Sequence, residues 1–176
     1  MKVQSTVVLV VTALVGAAAV VALAQAPAKK PAAASAPAPS HVMVAAADLK
    51  WGPAPPGLPP GGQVAVLAGD PSQAGSPFVM RAKLPDGYKV PPHWHPTDEN
   101  VTVMSGSFLI GMGEKMDESS MKALGPGGFV RMGKKTPHYA AVKGETIIQV
   151  HATGPFSITY VNPNDDPRKK TTTAAK

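Results

Sequence analysis

From residue 64 onward, apolar and polar positions alternate in short runs separated by turn residues, a period of strands rather than of helices. The runs are residues 64–67, 78–84, 88–95, 99–104, 107–112, 129–132, 137–142, 145–151 and 156–161. Between them fall Gly69-Asp70-Pro71, Pro85-Asp86-Gly87, Ser105-Gly106, Gly125-Pro126-Gly127-Gly128 and Lys143-Gly144. Turn signals about every eight to twelve residues predict an all-β sandwich or barrel. Helix signals are weak: residues 116–124, MDESSMKAL, allow one short turn. Residues 51–62 hold five prolines and four glycines and predict an extended, irregular lead-in. In 145–151 the alternation sets Ile147, Gln149 and His151 on one face and Thr146, Ile148 and Val150 on the other. If the first set turns inward, Gln149 and His151 line an interior site, with His151 as a proton carrier.

The ends of the chain differ from this pattern. Residues 1–24 have a basic start at Lys2, an apolar stretch over 7–22 and Ala22-Leu23-Ala24, the layout of a signal peptide cleaved after Ala24. The alternative is a retained membrane anchor, because the apolar run approaches spanning length. Residues 25–47 read as an Ala/Pro-rich linker, 48–167 as one folded domain and 168–176 as a disordered basic tail. The expected location is periplasmic or secreted, with no stable membrane anchor once the leader is removed.

Charge changes the picture less than the net +6 suggests. Residues 41–167 carry 10 Lys+Arg against 11 Asp+Glu; the excess sits at Lys2, Lys29, Lys30, Arg168, Lys169, Lys170 and Lys176. A near-neutral domain without a basic face is not a nucleic-acid binder. The chain has no cysteine, which excludes disulfides, thiolate metal sites and cysteine nucleophiles. Five methionines, Met104, Met112, Met116, Met121 and Met132, form no tight cluster and are expected to fill core gaps.

The chemistry concentrates in residues 87–106, GYKVPPHWHPTDENVTVMSG. His93 and His95 are one residue apart, so a strand directs both to one face and Trp94 to the other. Glu99 follows four positions later. Imidazole and carboxylate together suit a divalent first-row metal, and such groups packed inward without a cation would be costly.

This segment matches the first motif of the cupin superfamily, G-x5-HxH-x3-E-x6-G, at Gly87, His93, His95, Glu99 and Gly106. The second motif, G-x5-PxG-x2-H-x3-N, is met at Gly127 and His138. Gly133, Lys135 and Val142 stand where proline, glycine and asparagine are usual. The chain resembles a small single-domain exported bacterial cupin with an HWHPTDEN-type core. That resemblance implies a double-stranded β-helix, the RmlC-like jelly-roll barrel, and homodimers. It also implies a metal held by His93, His95, Glu99 and His138. No catalytic residue beyond the tetrad stands out.

Three neutral imidazoles and one carboxylate would leave a divalent ion with a charge of about +1 and two open octahedral positions. With iron or manganese such a site suits a dioxygenase; with zinc, nickel or cobalt, a Lewis-acid isomerase or hydrolase. The donor set does not choose among Fe, Mn, Zn, Ni, Co and Cu. The expected ligand is a small anionic or enediol-type molecule, with Lys134 and Lys135 as a possible guide or merely a solvated hairpin tip. The alternative is a non-catalytic metal- or ligand-binding cupin, a sensor, carrier or stress-related module.

Overall fold

The computed structural model describes residues 41–170. The leader 1–24, the linker up to residue 40 and the end of the tail, 171–176, lie outside the described residues. The alternating runs become seven of nine strands among these residues, β1 and β6 lying outside them: β1 (Gly52–Pro53), β2 (Gln63–Ala68), β3 (Pro77–Leu84), β4 (Lys89–Trp94), β5 (Glu99–Met112), β6 (Lys122–Leu124), β7 (Phe129–Met132), β8 (His138–Thr153) and β9 (Thr159–Tyr160). All pairings are antiparallel.

Two long strands organise the barrel. β5 and β8 pair along most of their length but are each bent once, at Gly106 (φ 79°) and Gly144 (φ 70°). Residues 99–105 of β5 pair with β7 and with the second half of β8, which pairs in turn with β3, β2 and β1. Residues 107–112 of β5 pair with β6 and with the first half of β8, which continues to β4 and β9. Both strands therefore pass from one layer to the other, and the two layers close on a shared core. Val101, Val103, Ile148 and Val150 come from the first layer, Phe108, Ile110, Ala140 and Val142 from the second. This is the all-β double-stranded β-helix expected from the sequence.

Several details differ from the pattern-based expectation. Ser105-Gly106 and Lys143-Gly144 bend continuous strands instead of separating two, because a single αL glycine redirects a strand without ending its pairing. Residues 116–124 give a 3₁₀ turn at Glu118–Ser120 and then β6, since Phe108, Leu109 and Ile110 offer 122–124 an open edge. Only Met132 of the five methionines is deep in the core, at 1% exposed; Met104 and Met112 point to solvent. The tail boundary drawn at Pro167 falls inside a four-residue helix, α1 (Pro167–Lys170), whose Arg168 donates to Ile158 O at 3.2 Å.

Candidate metal centre

Three strand ends meet at one mouth of the barrel. His93 lies near the end of β4, His95 just beyond it, Glu99 at the first position of β5 and His138 at the first position of β8. The register sets His93 directly opposite His138. Pro91 and Pro92 precede His93 where the β4–β8 ladder is irregular, a place where missing N–H donors leave no gap. All four side chains are buried, at 4, 6, 9 and 2% exposed in chain order. One ring nitrogen of each histidine lies within 4.8 Å of those of the other two. Glu99 Oε2 is 3.3 Å from His138 Nε2 and 3.6 Å from His95 Nε2.

The backbone decides which nitrogen faces inward. His93 Nδ1 lies 2.7 Å from Pro91 O, His95 Nδ1 2.7 Å from Ser157 O, and His138 Nδ1 2.9 Å from Thr136 O. A carbonyl oxygen can only accept, so each Nδ1 carries the proton and donates it. Each neutral ring then presents a bare Nε2 lone pair, the tautomer and orientation of a metal ligand fixed by its outer hydrogen bond. His138 Nε2 is buried and has no hydrogen-bond partner. Its 3.3 Å neighbour, Glu99 Oε2, is also an acceptor.

Electrostatics keep the donors in this state. Burial, then the neighbouring His138 and His95, push His93 down to about 3. Burial lowers His95 more than the Glu99 charge raises it. Burial alone would push Glu99 up, but close contact with His138 and the fields of the histidines outweigh it and hold the carboxyl low. At neutral pH His93 and His95 are therefore neutral and Glu99 is a carboxylate, electron-pair donors that converge with the ring of His138. Uncompensated buried acceptors are costly, and a divalent ion held by the three histidines, with Glu99 beside them, would satisfy them together.

Behind the tetrad opens a cavity of about 360 Å³. Its barrel walls are apolar, and a strap from the proline-rich lead-in, Pro55 to Leu58, covers part of it. Two tyrosines tie the strap down: Tyr160 OH donates to Gly57 O at 2.8 Å and Tyr88 OH to Pro59 O. Phe156 stacks on His95, ring centroids 4.3 Å apart and planes 13° off parallel. Sequence reasoning missed the strap, Phe156 and the three carbonyls. The shared offset of two residues from carbonyl to histidine, at Pro91–His93 and Thr136–His138, was the one available signal.

Other candidates lie elsewhere. Gln149 and His151 face outward: Thr146, Ile148 and Val150 are buried and Gln149 bonds Arg81 and His151 instead. The more apolar of the two alternating sets took the interior. His41 is exposed. Lys134 and Lys135 are exposed and do not line the cavity; the backbone N–H of Lys134 donates to Asp98 and that of Lys135 to His95 O.

No family model and no curated protein sequence matches this chain. Solved structures do. The polyketide cyclase RemF from Streptomyces resistomycificus aligns over 74% of this chain and 92% of its own, with 20% identity and a TM-score of 0.55. An RmlC-like cupin from Shewanella frigidimarina aligns over 65% of this chain and 91% of its own, with 13% identity and a TM-score of 0.50. At such identities the likeness establishes a fold, that of the cupins.

Proposed function

We propose that this chain, a cupin in fold, holds one divalent transition metal through His93, His95, Glu99 and His138 and uses it as an enzyme on a small molecule bound in the barrel. The observation that carries this reading is the inward set of bare Nε2 atoms, each oriented by a carbonyl behind it, around an ionised buried carboxylate. A bound ion would supply Lewis acidity or, for iron or manganese, dioxygen chemistry. The chain's own residues orient the donors and wall off water. RemF, a polyketide cyclase, gives a precedent for an enzyme on this fold.

A non-catalytic binding role is the second reading, and one observation favours it. The cavity's other titratable side chains are Tyr88 and Arg168. Burial pushes Tyr88 up to about 12, so it is no acid or base near neutrality. Metal analysis of natively expressed protein, with mass spectrometry for co-purified ligand and turnover assays on that ligand, separates the readings. About one metal per chain with turnover supports the enzyme; metal with a ligand recovered unchanged supports the binding module. Absence of metal in native protein, or a metal content that His93→Ala leaves unchanged, sinks both. The leader-like layout of residues 1–24 supports a role in the periplasm or outside the cell, and mature native protein is expected to begin at Gln25 by N-terminal sequencing.

A further inference from the structure

The cavity wall has a chemistry of its own. Apart from the tetrad, the barrel presents hydrocarbon and thioether: Met80, Leu84, Val90, Phe108, Ile110 and Val150 among others. The polar groups around it are already engaged. Tyr88 and Tyr160 spend their hydroxyls on the strap carbonyls. Arg168, the one guanidinium at the cavity, is clamped by Asp166, with Nε to Oδ1 at 2.8 Å and Nη2 to Oδ2 at 2.7 Å, and contributes no net charge there. Among the described residues, the buried side-chain polar atom without a hydrogen-bond partner is His138 Nε2, in the converging tetrad at one end.

Resting on the metal reading above, we propose that the ligand is an apolar molecule of about one or two rings that bears a single ionised oxygen donor, a phenolate or an enolate. The size follows from the volume. An apolar cavity of about 150 Å³ takes one benzene, and this one measures about 360 Å³. The charge follows from neutrality. A divalent ion with Glu99 carries about +1, which one ionised oxygen balances; a dianion would leave a net negative charge among hydrocarbon side chains, a costly burial. The orientation follows from both: oxygen at the tetrad, apolar body toward the barrel interior. Sugars and small dicarboxylates lack partners here, because each hydroxyl or carboxylate pushed against this wall would lose its water unpaid by a hydrogen bond. Ala82 on β3 and Ala140 on β8 are the smallest side chains of the barrel wall, one from each layer, and they set how large a body fits.

The test measures binding of three probes to the metal-loaded full chain by calorimetry: 2-naphthol, naphthalene and tartrate. Metal content is read first for every variant. 2-Naphthol is expected to bind at least about a hundredfold tighter than tartrate, and to displace naphthalene from the same site. Ala82→Leu is expected to weaken 2-naphthol at least about tenfold with metal content unchanged; Ala140→Val serves the same purpose where Ala82→Leu fails to fold. Metal-loaded protein that prefers tartrate, or that binds 2-naphthol equally well with the wall filled, overturns this inference alone. Native protein without metal overturns the underlying reading and this inference with it.

Discussion

Two glycines of the same motif carry nearly the same backbone angle in different surroundings, which gives a controlled test of how the barrel turns its corners. Gly87 has φ 73° and a Cβ added there would meet nothing within 4 Å. Gly106 has φ 79°, and its added Cβ would lie 2.4 Å from Thr146 Oγ1, 2.5 Å from Glu145 O and 2.7 Å from Thr146 Cα. Alanine at either position pays the left-handed penalty of about 1–2 kcal/mol. Only at Gly106 must backbone of the neighbouring strand also move, and overpacking of that kind costs about 1–3 kcal/mol more. Gly106→Ala is therefore expected to destabilise by about 2–5 kcal/mol, against a total of about 5–15 kcal/mol for a domain. Gly87→Ala should cost about 1–2 kcal/mol. Urea denaturation followed by circular dichroism measures both; at an m-value of about 1–3 kcal/mol/M the midpoints should differ by roughly 1 M. Equal midpoints for the two variants would refute the reasoning, and with it the claim that Gly106 is required by the close crossing of β5 and β8.

Further outcomes are expected. His138→Ala, His93→Ala or Glu99→Ala should each drop metal content by at least about tenfold, read by elemental analysis, since each removes a member of the converging histidine cluster or the carboxylate beside it. In metal-free protein, the depressed pKa of His93 makes stability complete above the unfolded value of 6.5 and lost as pH falls toward about 3. The slope is about 1.4 kcal/mol per pH unit per histidine protonated only in the unfolded chain. His95 shifts the same way and adds to it, so denaturant midpoints that stay flat from pH 7 to 4 would contradict the burial of His93 and His95 as neutral rings. Thr146→Val should cost about 1–3 kcal/mol, because the fully buried hydroxyl accepts from Ser107 N–H and bonds carbonyl oxygens at the same corner. Tyr160→Phe should release Gly57 O and speed hydrogen exchange across residues 57–62 with little effect on metal content.

The pattern along the chain carried most of the fold. Residues 64–67, 78–84 and 129–132 became β2, β3 and β7 within a residue at most ends, because alternation and turn glycines are local properties that pairing only completes. The short run at 122–124 was illegible, since its three residues become a strand only by lying beside Phe108–Ile110. At 145–151 both faces were readable but not which one turned inward; the whole barrel decided that by burying Ile148 and Val150 and leaving Gln149 and His151 outside.

The tetrad residues were legible as residue types at motif spacing, and the near-neutral domain charge and absent cysteines excluded nucleic-acid and thiolate chemistry without any coordinates. Tertiary structure decided what those residues can do. Convergence of His138 with His93 depends on a β4–β8 register linking positions 45 apart in the chain. The inward Nε2 atoms depend on carbonyls of Pro91, Ser157 and Thr136, one of them 62 residues away, and no spacing rule encodes that contact. The apolar wall depends on five strands, β3, β4, β5, β7 and β8, contributing one to three side chains each. Sequence could name the donors because donor chemistry belongs to single residues; tautomer, cavity and ligand preference belong to neighbours that only folding supplies.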